Sequence, residues 1–144
     1  MKAQALADYL QSRYAEYLHS VAVHNAEVTL EVIPSHLKSL CRSLRMDADL
    51  AFEQLIDLCG VDYLHYGLSE WVTDEATGSG FERGVMPLPM QEKLTSSSER
   101  FAVVYHLLSV SHNHRLRLRV RLSEDLPLID SVIDIWASAN WYER

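Results

Sequence analysis

The sequence predicts an α+β fold, a two-layer domain in which helices cover mainly one face of a mixed β-sheet. Two observations predict it. In some segments apolar residues recur at helical spacing, and in others they alternate with polar residues as strands require. The chain also has 144 residues, 48% of them hydrophobic, which suffices for one domain with a core and hardly for two. We therefore expect a single domain over residues 1–144, with elements in the order α-β-β-α-α-β-loop-β-β-α and about four to six strands.

The first predicted element is an amphipathic helix over residues 1–19. Its apolar side chains recur every four positions, at Leu6, Leu10, Tyr14 and Leu18. Three tyrosines, Tyr9, Tyr14 and Tyr17, lie close together in this segment. They form either a contact surface or a wide core-facing stripe, and the stripe is the favoured interpretation.

A hairpin and a second helix follow. Residues 21–24 and 27–33 alternate in polarity around Asn25-Ala26, which is the pattern of two strands joined by a tight turn. Pro34 then ends the second strand and suits the first turn of a helix. One face of that helix carries Leu37, Leu40, Cys41 and Leu44.

A third helix is predicted before the next strand. The Asp-Ala-Asp stretch at 47–49 offers a cap, and Gly60 stands where the helix would end. Apolar residues between them recur at helical spacing, at Phe52, Leu55, Ile56 and Cys59. Residues 61–66 are predicted to form a strand. Asp57 and Asp62 flank this junction, and because no His, Cys or Ser accompanies them at a motif spacing, we favour capping and turn roles over acid–base chemistry.

Residues 73–98 differ in composition from the segments around them. They contain a run of serine and threonine together with Gly78, Gly80, Gly84, Pro87 and Pro89. This composition predicts a long loop between strands, and loops of such length in a compact domain are usually functional or disordered.

The central element is a hairpin over residues 100–122. Its first strand is apolar on both faces, so we expect it inside the sheet rather than at an edge. The second strand alternates strictly, with Leu116, Leu118, Val120 and Leu122 on one face and Arg115, Arg117, Arg119 and Arg121 on the other. These four arginines, the arginine row, form either a solvated face or a docking surface for something acidic.

A last helix is predicted after a turn at 124–127. Its apolar residues recur at helical spacing, at Ile129, Val132, Ile133 and Trp136. Trp141 and Tyr142 follow within a few residues of the end of the sequence, where a monomer would leave them exposed. We expect these aromatic side chains to fold back or to meet a partner, unless the chain is a fragment.

Charge and composition exclude several classes of function. The net charge of −7, from 20 acidic residues against 13 Lys plus Arg, argues against nucleic-acid binding and against a polybasic membrane surface. Cys41 and Cys59 show no metal or redox spacing, and we expect both to be reduced and buried. The sequence shows no signal peptide, and no apolar run approaches the roughly 18 residues that a membrane span needs.

Seven histidines raise the alternative of a metal site. His112 and His114 are two apart in the predicted turn, and His106 precedes them on the strand. The Cys and carboxylate spacings of zinc sites are absent, so this alternative is disfavoured. No phosphate-binding loop, nucleophile motif or iron–sulfur motif is present either, and the patterns alone show no active site.

Four stretches resemble the signature of a known family. They are residues 58–63 (LCGVDY), residues 100–109 (RFAVVYHLLS), Asn113 with 115–117, and the segment from Ser131 through Trp136 to 139–144 (ANWYER). In order and spacing they resemble the hydrophilic C subunit of the respiratory NADH–quinone oxidoreductase, complex I. The resemblance runs from about residue 55 onward, and the preceding part fits through its helix–hairpin–helix pattern. The family signature continues beyond Arg144, so we expect this chain to be the folded N-terminal domain without the C-terminal extension.

The resemblance implies a non-catalytic, hydrophilic subunit in the peripheral arm of the complex. Such a subunit carries no cofactor, because NADH, flavin, iron–sulfur clusters and quinone belong to the other subunits. It implies docking to other complex I subunits, chiefly the large quinone-site D subunit, on the cytoplasmic side of the bacterial inner membrane. Membrane association would arise only through the complex, which passes electrons from NADH to quinone and translocates protons.

We expect no catalytic, cofactor-binding or metal-binding residue in this chain. The predicted partner contacts are the arginine row and the C-terminal residues Trp136, Asn140, Trp141, Glu143 and Arg144. Two other hypotheses remain. One is an acidic adaptor that binds another protein through Tyr9, Tyr14 and Tyr17, and the other is a metal-dependent enzyme that uses His106, His112 and His114.

Overall fold

The computed structural model describes residues 2–64, 66, 71–73, 85–87 and 99–144. The helices are α1 (Ala3–Tyr14), α2 (Leu37–Met46) and α3 (Ala139–Tyr142). The strands are β1 (Leu18–His24), β2 (Glu27–Val32), β3 (Gln54–Asp62), β4 (Trp71–Thr73), β5 (Val85–Pro87), β6 (Phe101–Ser109) and β7 (His114–Leu122). Short 3₁₀ turns at Ala15–Tyr17 and Pro34–His36 lead into β1 and α2.

Five of the strands form one mixed sheet in the order β1-β2-β7-β6-β3. The pair β2–β7 is parallel, and the other three pairs are antiparallel. The predicted α+β class and the predicted central hairpin, β6–β7, are confirmed, and β6 lies inside the sheet. β4 and β5 pair separately as a two-stranded antiparallel sheet. β5 lies inside the loop predicted at 73–98, and most of that loop falls outside the described residues.

The core lies between one face of the sheet and the helices. Leu30 of β2 and Leu118 of β7 are register partners, and both are fully buried. They belong to the same apolar cluster as Leu10 of α1 and Leu40 of α2. The face predicted for α2 is confirmed, because its buried residues are Leu37, Leu40, Cys41 and Leu44. The apolar face of β7 therefore carries the helical layer, and the arginine row lies on the other face.

The predicted first helix is too long, because α1 ends at Tyr14. Leu18 and His19 belong to β1, which enters the sheet earlier than the apolar spacing suggested. The physical reason is a competing backbone interaction at the helix end. The carbonyl of Tyr17 accepts a hydrogen bond of 3.0 Å from the amide of Ile33, so this segment already follows the neighbouring strand.

The predicted third helix is wrong, since β3 occupies that part of the chain. Ala51 has a left-handed φ of 42°, and the amide of Phe52 donates to the carbonyl of Leu44, which turns the chain towards the sheet. A register shift between Leu55 and Asp57 then places an additional residue, Ile56, in the strand. Such a bulge interrupts the two-residue alternation, and this is why the apolar spacing resembled that of a helix. The predicted strand at 61–66 is present only as the end of β3.

The predicted last helix is also absent. Residues 129–132 have no regular structure and residues 133–135 form a turn, in which the amides of Ile135 and Trp136 both donate to the carbonyl of Val132. The only helix described in this region is the single turn of α3. Contacts with the backbone of residues 52–56 determine this conformation.

Candidate partner-binding surface

The arginine row occupies β7 on the face of the sheet opposite the helices. Its neighbour β2 is parallel and places Thr29 beside Arg117 and Glu31 beside Arg119. β2 alternates in the same way as β7, with Val28, Leu30 and Val32 buried. The glutamates of β2 therefore share a face with the arginines.

Three of the four arginines form ion pairs with these glutamates. Arg117 Nη2 lies 2.6 Å from a carboxylate oxygen of Glu27. Arg119 and Arg121 both bind Glu31, at 2.5 Å and 2.9 Å, and the Glu31 side chain is only 12% exposed. The hydrogen bond to Glu31 is the main cause that raises the pKa of Arg119 above its ordinary value. The sequence patterns had suggested a solvated row or an acidic partner, whereas these pairs lie within the sheet.

Arg115 differs from the rest of the row. Its side chain is exposed and forms no ion pair with the residues that the structure describes. A cleft of about 190 Å³ lies beside it and is also lined by Arg117, Glu27, Asp57 and His106. The cleft crosses β2, β7, β6 and β3, so it is a groove in the open face of the sheet.

A second ion-pair group lies at the other end of this face. Arg100 donates two hydrogen bonds to Asp62, at 2.8 and 2.7 Å, and one to Glu124 at 3.0 Å. Both carboxylates raise the pKa of Arg100, and the bonds to Asp62 contribute most. Asp57 accepts a hydrogen bond from the amide of Leu58. Asp62 also accepts a hydrogen bond from the amide of Leu64, so the turn role that the sequence favoured fits Asp62. Asp57 instead lies within β3, and the helix–strand junction that it was predicted to flank is absent.

Side chains fix the C-terminal segment to the start of β3 and to the residue pair just before it. Trp136 is 3% exposed, and its indole Nε1 donates to the carbonyl of Phe52 at 3.0 Å. Ser138 donates to the carbonyl of Leu55, and Tyr142 to that of Ile56 at 2.7 Å. Sequence reasoning did not select Ser138 or Tyr142 for this role, because carbonyls at a sheet edge leave no pattern in the sequence.

The predicted C-terminal contact residues divide into two groups. Trp136 and Glu143 interact within the chain, since Glu143 accepts hydrogen bonds from the hydroxyl of Ser131 at 2.6 Å and the amide of Val132 at 3.0 Å. Trp141 remains 81% exposed, and Asn140 and Arg144 are exposed beside it. Exposed tryptophan is enriched among the anchor residues of protein interfaces.

The structure does not bring the two predicted contact regions together. Trp136 and Ala139 belong to the buried cluster that also includes the core residues of α1 and α2. The arginine row lies on the opposite face of the sheet. The prediction therefore describes two surfaces, one on each side of the sheet.

The tyrosines of α1 and of the 3₁₀ turn after it pack as a core-facing stripe. Tyr14 belongs to the buried cluster, and Tyr9 and Tyr17 pack against it. The hydroxyl of Tyr14 donates to Asp47 at 3.3 Å. This arrangement gives no support to an adaptor that binds through these side chains.

The three histidines of the metal hypothesis are not brought together. His112 and His114 stack with ring centroids 5.8 Å apart, while His106 and the buried His114 lie on opposite faces of the hairpin. Among the described residues, no group of three His, Cys, Asp or Glu side chains is placed to hold a metal ion. Burial is the main cause that lowers the pKa of His114.

The two cysteines differ in environment. Cys41 is buried as predicted, and burial raises the pKa of its thiol to about 12. Cys59 is exposed, so the prediction of a buried side chain is wrong for it. Its position in β3 rather than in a helix explains the difference.

No helix within the described part of the chain is long and apolar enough to cross a membrane.

Comparison with known proteins relates this arrangement to one family. Residues 30–144 match the family described as respiratory-chain NADH dehydrogenase, 30 kDa subunit. The C subunit of the NADH-quinone oxidoreductase of Coxiella burnetii is 46% identical over 98% of this chain and 62% of that protein. Its counterpart from Legionella pneumophila strain Paris is 43% identical over 99% of this chain and 63% of that protein. The chain thus spans less than two thirds of the length of these relatives.

A solved structure has a similar fold. It is a trypsin-resistant fragment of Nqo5, which superposes with a TM-score of 0.64 at 25% identity. The superposition covers 96% of this chain and 86% of the fragment.

Proposed function

This chain belongs to the family of the 30 kDa subunit of respiratory-chain NADH dehydrogenase, and from that membership we propose a structural, non-catalytic role in complex I. The chain serves as a hydrophilic subunit of the peripheral arm of the proton-translocating NADH-quinone oxidoreductase. The observation that carries the proposal is the likeness to the C subunit of other bacteria over nearly the whole chain.

The electron-transfer chemistry of the complex belongs to other subunits in this proposal. An iron–sulfur cluster requires about four ligands, normally cysteine thiolates, and this chain has two cysteines. One of them, Cys41, is buried between helix and sheet with its thiol protonated at neutral pH. Three of the four arginines on the open face are held in ion pairs with glutamates, which suits a scaffold more than a reaction centre.

The main partner in this proposal is the large quinone-site subunit of the complex, on the cytoplasmic side of the bacterial inner membrane. Two surfaces support docking. The first is the exposed part of the C-terminal segment, Asn140, Trp141 and Arg144. The second is the arginine row on the opposite face.

Co-purification tests this function. The tagged chain is co-expressed with the quinone-site subunit of the same organism and analysed by size-exclusion chromatography. We expect the two proteins to co-elute, and we expect Trp141→Ala to reduce the recovery of the partner by about fivefold or more, as the loss of an interface anchor does. Met46→Ala is the matched control, because Met46 is also apolar and 77% exposed but lies at the end of α2. Separate elution of the two unmodified proteins would contradict the proposed partner.

A further inference from the structure

The arginine row carries more positive charge than its neighbours on β2 neutralise. Four guanidinium groups face two carboxylates, Glu27 and Glu31. Arg119 and Arg121 share one of these carboxylates, and Arg115 forms no ion pair among the described residues. Two positive charges are therefore in excess on β7, in a chain whose net charge is −7.

The four arginines differ in how readily a partner protein could bind them. Glu31 is largely buried and binds two arginines, so Arg119 and Arg121 are fixed in the sheet. Glu27 is about half exposed and, among the residues that the structure describes, it pairs with Arg117 alone. Arg115 and Arg117 are successive residues on one face of a strand, so their side chains start about 7 Å apart. Both line the same cleft.

We propose that Arg115 and Arg117 bind an acidic, extended segment of a partner protein. Glu27, which already pairs with Arg117, competes with the segment for that guanidinium group. The inference rests on the proposed function for the identity of the partner, which is another subunit of the same complex. Two carboxylates at alternate positions of an extended segment are also about 7 Å apart, so each one meets a guanidinium group. Arginine binds carboxylate in a planar, two-point geometry, which makes it suited to such contacts.

Other charges on this face determine where the segment lies. Asp57 also lines the cleft, but it is on β3, two strands and about 10 Å away from β7. This separation exceeds the Debye length of about 8 Å at physiological ionic strength, so its repulsion is largely screened. His106, on β6 between them, adds no negative charge. The segment therefore runs along β7 rather than across the sheet.

A nucleic acid is a poor occupant, because the negative net charge of the chain repels a long polyanion.

Peptide binding tests the inference directly. The probe is a synthetic peptide of alternating glutamate and threonine, and its counterpart has glutamine in place of glutamate. Affinities for the whole chain are measured by fluorescence anisotropy at physiological ionic strength, at which the repulsion from Asp57 is screened. We expect the chain to prefer the glutamate peptide, and Arg115→Glu to weaken its binding by about tenfold, since an attraction is replaced by a repulsion. Arg45→Glu is the matched control, because Arg45 is exposed on α2, which packs on the other face.

A second variant separates the docking hypothesis from a purely structural row. Glu27→Gln leaves Arg117 without its carboxylate, so it should strengthen binding of the glutamate peptide by about two- to fivefold. If the arginine row only stabilises the sheet, Glu27→Gln should not bind the glutamate peptide more tightly than the unmodified chain does. Unfolding curves confirm that Arg115→Glu and Glu27→Gln remain folded, as expected for exposed side chains.

The outcomes distinguish this inference from the proposed function. Equal binding of the two peptides, or equal affinity of Arg115→Glu and the unmodified chain, overturns the inference even if the quinone-site subunit elutes together with this chain. A preference that Arg115→Glu abolishes and Glu27→Gln enhances supports the docking chemistry. If the quinone-site subunit elutes separately while that preference is present, the proposed function fails and the docking chemistry is supported.

Discussion

Asn25 and Ala26 form the two-residue turn between β1 and β2, and both have positive φ angles, 49° and 61°. Hairpins favour such turns because their twist matches that of the strands. Asparagine tolerates this conformation, but alanine has a Cβ that approaches the following carbonyl oxygen. The turn therefore stores strain at one residue of an otherwise regular hairpin.

Replacing Ala26 with glycine should stabilise the protein by about 0.5 kcal/mol, because relief of the Cβ strain exceeds the added flexibility of the unfolded chain. Urea unfolding measures the change. Ala22→Gly, in the middle of β1, is the control and should destabilise by a similar amount, since glycine weakens a strand there. Destabilisation by both substitutions would show that the turn is not strained.

The two C-terminal tryptophans should respond differently to the same substitution. Trp136→Phe removes the donor to the carbonyl of Phe52 in a buried site and should cost about 1–3 kcal/mol of unfolding free energy. Trp141→Phe should change stability by less than about 0.5 kcal/mol, because that side chain is largely exposed. Chemical denaturation of both variants checks this contrast. Equal losses would mean that Trp141 is a core residue and not a contact residue.

At the scale of elements, periodicity predicted those parts of the fold in which one face is buried without interruption. α2 buries Leu37, Leu40 and Leu44, and β7 buries every second residue, so each pattern has a single period. β3 could not be predicted in this way, because the bulge at Ile56 mixes two alternations. The C-terminal segment could not be predicted either, since its shape depends on the backbone carbonyls of Phe52 and Ile56, which no sequence pattern marks.

The candidate site was predictable only in part for a similar reason. Strict alternation in β7 placed all four arginines on one face. Their pairing with Glu27 and Glu31 requires β2 to lie parallel beside β7. The two strands are about 90 residues apart, so local sequence patterns do not predict that they are neighbours. The exposure of Trp141 and the burial of Trp136 likewise depend on tertiary contacts.

The turn between β6 and β7 is held by side-chain hydrogen bonds, and a histidine beside it has a shifted pKa. Glu53 accepts hydrogen bonds from the amide of Val110 and the hydroxyl of Ser111, and His112 Nε2 lies 2.8 Å from the carbonyl oxygen of Ala48. His114, next to the turn, has a lowered pKa because of burial, with a smaller contribution from His112.

Stability should therefore fall as the pH drops from about 7 to 5.5. The unfolded chain takes up a proton at the ordinary histidine pKa of about 6.5, whereas the folded chain does so only at lower pH. Unfolding free energies measured across this range test the expectation. In His114→Asn the decline should be shallower, even if that variant is less stable throughout. An unchanged slope would assign the pH dependence to other groups.

At the scale of the whole molecule, Glu31 connects the two halves of the chain. Its carboxylate on β2 binds Arg119 and Arg121 on β7, so it joins the N-terminal hairpin to the central hairpin. The apolar partners Leu30 and Leu118 lie beneath the same junction. The parallel pair is thus held by charge on one face and by burial on the other.

Glu31→Gln should destabilise the protein by about 1–2 kcal/mol, because two partly buried guanidinium groups lose their carboxylate. Glu27→Gln, with a partner in a more exposed pair, should cost about 0.5 kcal/mol or less. Urea unfolding compares the two variants, and a single transition is expected for each. A larger cost for Glu27 would show that the exposed end of the row holds the strands together.

The parallel pairing of β2 with β7 also governs how quickly the chain finds its native state. The β1–β2 and β6–β7 hairpins need only short closures, whereas Glu31 and Arg119 are 88 positions apart. Closing so long a loop costs conformational entropy before the burial of apolar surface compensates for it. Contacts between residues far apart in sequence therefore slow folding. We therefore expect the two hairpins to assemble early, and the docking of one onto the other to limit the rate of folding.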